Sequence, residues 1–296
     1  MFPLVGPLVR AAWLKQQIVA KSPSKQGDLV LIDVRWYLGK KRGADEYAAG
    51  HLPHAVFVDL DTALASPPAS APNGGPGRHP LPSPIAFQEA MRAAGVNHSS
   101  TVVVYDDAGG SIAARAWWLF RYFSHTQVAV LDGGIDAWKK IGGTLTTDVP
   151  RIIPGDFYSV LSTRDCVLDR GRVEHQVKHG ALVIDARARE RYRGDTEPVD
   201  ARAGHIPGAV NAPWSENLSN GVFLSKELLA EKYRALGADG QRNVIAYCGS
   251  GVTACHDLLA LHIAGFTDTM LYEGSWSDWA SQANLAAQLG SKIGSL

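Results

Sequence analysis

The stretch Val244-Ile245-Ala246-Tyr247-Cys248-Gly249-Ser250-Gly251-Val252-Thr253-Ala254-Cys255-His256 decides how the chain is read. Val244–Ala246 is a short apolar run with no polar alternation. Such a run suits a strand buried on both faces of a parallel sheet. It leads directly into Cys248. Gly249 and Gly251 then permit a tight turn, and apolar residues at helical spacing run from Thr253 to Ala264. Cys248 is therefore placed at the carboxyl end of a strand, where open parallel sheets bind ligands. The N–H groups of such a turn converge ahead of the helix and form an anion cradle. A cysteine held there is favoured as the thiolate nucleophile, and the cradle also suits the outer sulfur of a persulfide. A buried cysteine with no chemistry is the competing reading. The two glycines and the helix start weigh against it.

Working outward, the strand has a counterpart earlier in the chain. Thr101-Val102-Val103-Val104-Tyr105-Asp106 matches Asn243-Val244-Ile245-Ala246-Tyr247-Cys248. Leu29–Arg35, with Asp33-Val34-Arg35, matches Leu182–Arg187, with Asp185-Ala186-Arg187. His51-Leu52-Pro53-His54-Ala55-Val56 matches His205-Ile206-Pro207-Gly208-Ala209-Val210, and Leu131-Asp132-Gly133-Gly134 matches Leu271-Tyr272-Glu273-Gly274. The four blocks keep their order, at offsets of 152, 154, 142 and 140. Four matches in order imply a duplication. The expected organisation is two homologous α/β domains, 1–148 and 155–296, joined where Pro150, Pro154 and Gly155 interrupt the pattern. Each half reads as strand, turn, strand, helix, strand, loop, helix, strand, helix. Ser111–Phe123 is a further helix on apolar spacing. The alternation predicts a mostly parallel central sheet flanked by helices in each half. Two repeats are too few for a solenoid, so each half needs its own core.

Composition narrows the function classes. Among 296 residues, 46% are hydrophobic and 20% charged, the balance of a globular protein. Lys+Arg and Asp+Glu number 29 each, so the basic surplus of a nucleic-acid binder is missing. No uncharged apolar run reaches the ~18 residues of a membrane span. Met1–Arg10 lacks the pattern of a secretory signal, which makes a cytoplasmic location the expectation. Cys166, Cys248 and Cys255 are the only cysteines and form no C-x-x-C pair, which argues against a disulfide framework or a zinc ribbon. His175 and His179 have a metal-capable i, i+4 spacing but no evident third ligand. His51 and His205 recur in both halves and read as structural. Cys255 and the tryptophans Trp276 and Trp279 read as core, and Cys166 carries no motif.

At the Cys248 loop, and in its tandem setting, the chain resembles the rhodanese-like sulfurtransferases. The loop Cys248-Gly249-Ser250-Gly251-Val252-Thr253-Ala254 is most similar to that of the 3-mercaptopyruvate sulfurtransferases. Thiosulfate sulfurtransferases more typically carry basic residues after the cysteine. The Asp-x-Arg pairs, the His-(Leu/Ile)-Pro blocks and Gly274-Ser275-Trp276-Ser277-Asp278-Trp279 extend the resemblance over nearly the whole chain. It implies that the Cys248 thiolate takes a sulfur from a donor as a persulfide and passes it to a thiophilic acceptor such as cyanide, a thiol or thioredoxin. Ping-pong kinetics and no metal or organic cofactor are expected. Neither a nucleic acid nor a membrane is an expected partner.

The resemblance also implies roles for particular residues. The backbone of Gly249, Gly251, Val252 and Thr253 would stabilise the sulfur anion, with Thr253 also capping the next helix. Arg191 would hold a donor carboxylate, while Arg187 reads as an anchor for the strand end. The family often has a second arginine after a Glu-Pro pair. Here Glu197-Pro198 is followed by Val199, and Arg202 is the expected substitute. Ser250, Asp61 and His79 would assist proton transfer to the leaving group, and Trp36 would lie near the cleft. Asp106 stands where the second half has Cys248. A carboxylate cannot carry a persulfide, so the first half is expected to be catalytically silent, with Asp106 also able to cap the helix after it. The rival enzyme reading keeps the chemistry but prefers thiosulfate. A Cys-dependent phosphatase would need Cys-x5-Arg, and that arginine position is Ala254. A non-catalytic binding module would lack an intact cysteine loop.

Overall fold

The computed structural model describes residues 4, 6–20, 29–68, 76–162 and 165–290. The chain folds as two compact units, each around a five-stranded sheet. In the first unit the strands are Leu8–Val9 (β1), Leu29–Asp33 (β2), Ala55–Phe57 (β3), Thr101–Tyr105 (β4) and Val128–Leu131 (β5). Their order is β1-β5-β4-β2-β3, and every neighbouring pair is parallel. In the second, Val167–Leu168 (β6), Leu182–Asp185 (β7) and Val210–Asn211 (β8) precede a separate short ladder of Leu218–Ser219 (β9) and Val222–Phe223 (β10). Val244–Tyr247 (β11) and Thr269–Tyr272 (β12) complete the sheet. Its order, β6-β12-β11-β7-β8, repeats the first topology, again wholly parallel.

The non-alternating strands do sit between helical layers. β2, β4, β5, β7 and β11 are buried along their whole length. The helices Ala113–Tyr122 and Ala254–Ala264 are apolar almost all round and nearly fully buried. Leu31, Val103, Tyr105 and Trp138 meet in the first core; Val183, Ile245, Tyr247 and Trp276 meet in the second. Among the described residues no helix is long and apolar enough to cross a membrane.

The duplicated motifs do the same work in each unit. Arg35 Nη2 binds Asp33 at 2.7 Å and the Gly50 carbonyl at 2.8 Å. Arg187 Nη2 binds Asp185 and the Gly204 carbonyl, both at 2.6 Å. Each ion pair ties the end of a central strand to the block that follows. His51 stacks on Tyr47 and bonds its carbonyl at 2.8 Å; His205 does so with Tyr192 at 2.7 Å. Their structural reading holds.

The structure changes four details. The two-residue edge strands β1 and β6, and the helix Gly43–Ala49 after β2, were not expected. The fourth repeat block is shifted by one. The Ile135 amide bonds the Asp106 carbonyl at 3.0 Å, and the Trp276 amide bonds the Cys248 carbonyl at 2.9 Å. This makes the structural offset 141, so Gly134 corresponds to Ser275. Finally, the sequence division assigned 66–81 to the first half, but its described residues, 66–68 and 76–81, group with the second unit, alongside 165–219 and 223–290.

Candidate active site

Cys248 follows the last residue of β11 and is 2% exposed. The Gly251 amide donates to Cys248 Sγ at 3.2 Å. This requires the left-handed backbone of Gly251, with φ of +78°. A Cβ at 251 would lie 2.5 Å from the Glu273 carbonyl oxygen, so only glycine fits.

A turn after β12 braces the loop from behind. Ser275 Oγ accepts from the Cys248 amide at 3.1 Å and donates to the Tyr272 carbonyl at 3.0 Å. The Trp276 amide binds the Cys248 carbonyl and the Ser277 amide the Gly249 carbonyl, each at 2.9 Å. Ser275 holds φ of +52°, a costly conformation for a residue with a side chain. Its hydroxyl bonds offset that cost. The first half solves the same position with Gly134, at φ of +55°. That glycine was the one sequence signal for Ser275, and the one-residue slip in the repeat concealed it.

Thr253 precedes the helix Ala254–Ala264, but its side chain makes no capping bond. Its expected capping role is corrected: the backbone there is already helical, not the extended conformation from which a capping side chain reaches back to the free amides. Cys255 is fully buried, and its Sγ donates to the Gly251 carbonyl at 3.4 Å. It steadies the loop from within the core.

Segment 76–81 lies across this loop. Gly77, at φ of +73°, passes so close to Gly274 that a Cβ would sit 2.5 Å from its carbonyl oxygen. The Arg78 amide donates to Ser277 Oγ at 3.2 Å, and the Leu81 amide to Glu273 Oε2 at 3.3 Å. Between them, His79 Nδ1 and Ser250 Oγ are 2.7 Å apart. Two predicted site residues are thus joined. In the first unit Trp36 Nε1 donates to Asp61 Oδ2 at 2.9 Å, joining two more. Capping of the short helix Leu60–Ala63 falls to Asp59, whose carboxylate accepts from the Thr62 amide at 3.1 Å.

The arginines divide their work. Arg187 is buried against Asp185 and Glu197, as expected of an anchor. Arg191 bonds Glu197 at 2.7 Å and Asp200 at 3.0 Å, and its guanidinium lies beside Gly249. Arg202 is a correction. Its guanidinium is spent on the backbone carbonyls of Trp279, Ala280, Gln282 and Leu285, at 2.9 to 3.2 Å. It ties the stretch Trp279–Leu285 to the second unit, so its contacts do not support the expected role as a substitute donor clamp. Sequence reasoning missed Arg78, which pairs with Asp200 and points at Gly249. Nothing in its Pro/Gly-rich neighbourhood marked it.

The first-half counterpart of the loop is filled. The Asp106 carboxylate accepts from the amides of Ala108, Gly110, Ile112 and Ala113 at 2.8 to 2.9 Å. Burial pushes this carboxyl up, and the four amides pull it back. The first-half turn thus gathers four N–H groups around one carboxylate. Among the described residues no His/Cys/Asp/Glu group could hold a metal ion. His175 and His179 simply stack, with centroids 4.0 Å apart.

The profile of the rhodanese-like domain matches residues 11–141 and 170–282. A Pseudomonas aeruginosa protein, assigned provisionally as a 3-mercaptopyruvate sulfurtransferase, is 42% identical over 269 residues, covering 89% of this chain and 93% of its own. SseB of Mycobacterium tuberculosis, assigned provisionally as a thiosulfate sulfurtransferase, is 39% identical over 279 residues, covering 93% and 94%. The crystal structure of SseA from Escherichia coli, described as a 3-mercaptopyruvate sulfotransferase, superposes with a TM-score of 0.79 at 33% identity, covering 92% of this chain and all of SseA. Both sheets, both matched segments and these relatives lead to one conclusion: the chain belongs to the rhodanese-like family and carries two copies of its domain in tandem.

Proposed function

We propose that this protein is a sulfurtransferase that takes sulfur from 3-mercaptopyruvate onto Cys248 and delivers it to a thiophilic acceptor. One observation carries the reading: the Gly251 amide is aimed at Cys248 Sγ from a loop braced by the turn after β12. In the first half-reaction the Cys248 thiolate attacks the donor sulfur. An S–S bond forms, the C–S bond breaks, and its electron pair leaves on the pyruvate enolate. The enolate takes up a proton to become pyruvate. Ser250, bonded to His79, is suited to conduct that proton. In the second half-reaction an acceptor such as cyanide or a thiolate attacks the outer sulfur, and the Cys248 thiolate is released. The loop amides hold the charge on sulfur throughout.

The first half is silent in this account because its cradle is occupied by Asp106, which offers no transferable sulfur. Its Asp61–Trp36 pair is assigned a supporting role in the reaction. The donor assignment leans on the P. aeruginosa and E. coli relatives and on Arg191, whose fork suits a carboxylate. A thiosulfate-preferring enzyme is the second reading, favoured by SseB and by Val199 in place of the family arginine.

The test is steady-state sulfur transfer to one common acceptor. A preference in kcat/KM of tenfold or more for 3-mercaptopyruvate over thiosulfate, about 1.4 kcal/mol, supports the first reading. The reverse preference supports the second. Turnover of neither overturns both.

A further inference from the structure

Arg78 and Arg191 converge on the residue next to the nucleophile. An ideal Cβ at Gly249 would lie 2.9 Å from Arg78 Nη2 and 3.6 Å from Arg191 Nη1. The two arginines are 113 positions apart in sequence, yet one carboxylate holds both. Asp200 Oδ1 pairs with Arg78 Nη1 and Asp200 Oδ2 with Arg191 Nη2. The Asp200 side chain is 3% exposed, while that of Arg78 is 32% exposed. Asp200 is therefore the buried strut and Arg78 the more accessible member. Its Nη1 faces the strut and its Nη2 faces Gly249. The Arg78 backbone is fixed as well, by Ser277 and by the tight passage of Gly77 against Gly274. Burial pushes the Arg78 guanidinium down from its ordinary value, while charge on Cys248 pushes it up.

Position 199, after Glu197-Pro198, is the place from which a second clamp arginine would be expected, and it is valine. Arg202 is committed to carbonyls. We infer that Arg78 supplies the second guanidinium of the donor site, and that with Arg191 it binds the carboxylate of a 2-oxo-acid sulfur donor beside Cys248. Asp200 holds one nitrogen of each guanidinium, Glu197 takes the Nε–Nη2 edge of Arg191, and Arg78 Nη2 and Arg191 Nη1 are left toward Gly249 and the incoming anion. The guanidinium lost at 199 is thus restored from segment 76–81. Gly249 is glycine because any side chain would enter the space between the forks.

The donor identity rests on the proposed function, so the test includes an arm independent of it. In the full-length protein, alkylation at the Cys248 peptide is followed with iodoacetate, which carries a carboxylate, and with neutral iodoacetamide. The iodoacetate/iodoacetamide rate ratio should fall about tenfold in Arg78→Gln, the scale of one lost charge-assisted contact. It should fall less in Arg78→Lys, which keeps the charge and loses the fork. In the kinetic arm, Arg78→Gln should raise KM for 3-mercaptopyruvate while kcat stays within about threefold. A ratio within about twofold of the native value in Arg78→Gln overturns the inference. Equal slowing of both reagents in both variants also overturns it, because Arg78 would then act only on the shape of the loop. A protein that keeps the charge-dependent ratio yet turns over no 3-mercaptopyruvate would retain the clamp and lose only the proposed donor.

Discussion

The Gly251 amide donates to Cys248 Sγ at 3.2 Å, and Gly251 can do so only because its φ is +78° and no Cβ separates it from the Glu273 carbonyl. Gly251→Ala should therefore impair Cys248 without replacing it. The new Cβ forces either the loop or the β12 turn to move. We expect kcat/KM to fall at least about 100-fold and stability to drop by roughly 1–3 kcal/mol. Steady-state sulfur transfer and thermal unfolding measure the two effects.

Ser250 and His79 share a hydrogen bond of 2.7 Å. If this pair conducts the proton to the pyruvate enolate, Ser250→Ala should slow 3-mercaptopyruvate turnover by about 10- to 100-fold. Thiosulfate releases sulfite, which does not depend on carbon protonation, so that donor should be affected far less. Equal losses with both donors would assign Ser250 to the loop structure instead.

Asp106 holds four backbone amides. Asp106→Ala leaves these buried donors unpaired, at a cost of about 2–4 kcal/mol of stability. Sulfur transfer in the folded fraction should stay within about twofold, as the proposed silence of the first half requires. Chemical denaturation and specific activity check the pair of outcomes. Lost turnover in a fully folded variant would contradict the silence of this half.

Asp257, on the helix that follows the cysteine loop, is buried among Asn217, Tyr233 and the neighbouring Lys232. Burial pushes its carboxyl up to about 7 from an ordinary 3.8, against the pull of Lys232 and these hydrogen bonds. A carboxyl raised on folding binds its proton more tightly in the native state. Its stabilising contribution is fully present below pH 3.8 and is lost as pH rises through about 7. Denaturant unfolding between pH 5 and 8 should show a fall attributable to this group, on the order of 1–4 kcal/mol. Asp257→Asn should flatten it.

Much of this was legible in the sequence because physics leaves few alternatives. Runs such as Val102–Val104 and Val244–Ala246, bounded by turn and helix signals, suit a doubly covered parallel strand, and the repeated Asp-x-Arg and His blocks revealed the duplication. Cys248, with glycines at 249 and 251, marked the turn in which the Gly251 amide meets the sulfur. What stayed hidden is of two kinds. β1 and β6 have two residues each, too few for any periodicity. Arg78, Asp200 and the carbonyl latch of Arg202 depend on tertiary neighbours. The placement of 76–81 against Ser277 and Glu273 brings Arg78 to Gly249, and no local pattern encodes that placement. Arg202 erred for the same reason: its proximity to Glu197 in sequence said nothing of the carbonyls awaiting it at Trp279–Leu285.

The most direct measurement is the mass of the intact protein after exposure to 3-mercaptopyruvate with no acceptor, followed by peptide mapping. The account predicts a gain of roughly 32 Da, one sulfur atom, on Cys248, one pyruvate released for each adduct, and no gain in Cys248→Ser. Pyruvate released without an adduct, or an adduct on Cys166 or Cys255 that persists in Cys248→Ser, would contradict it.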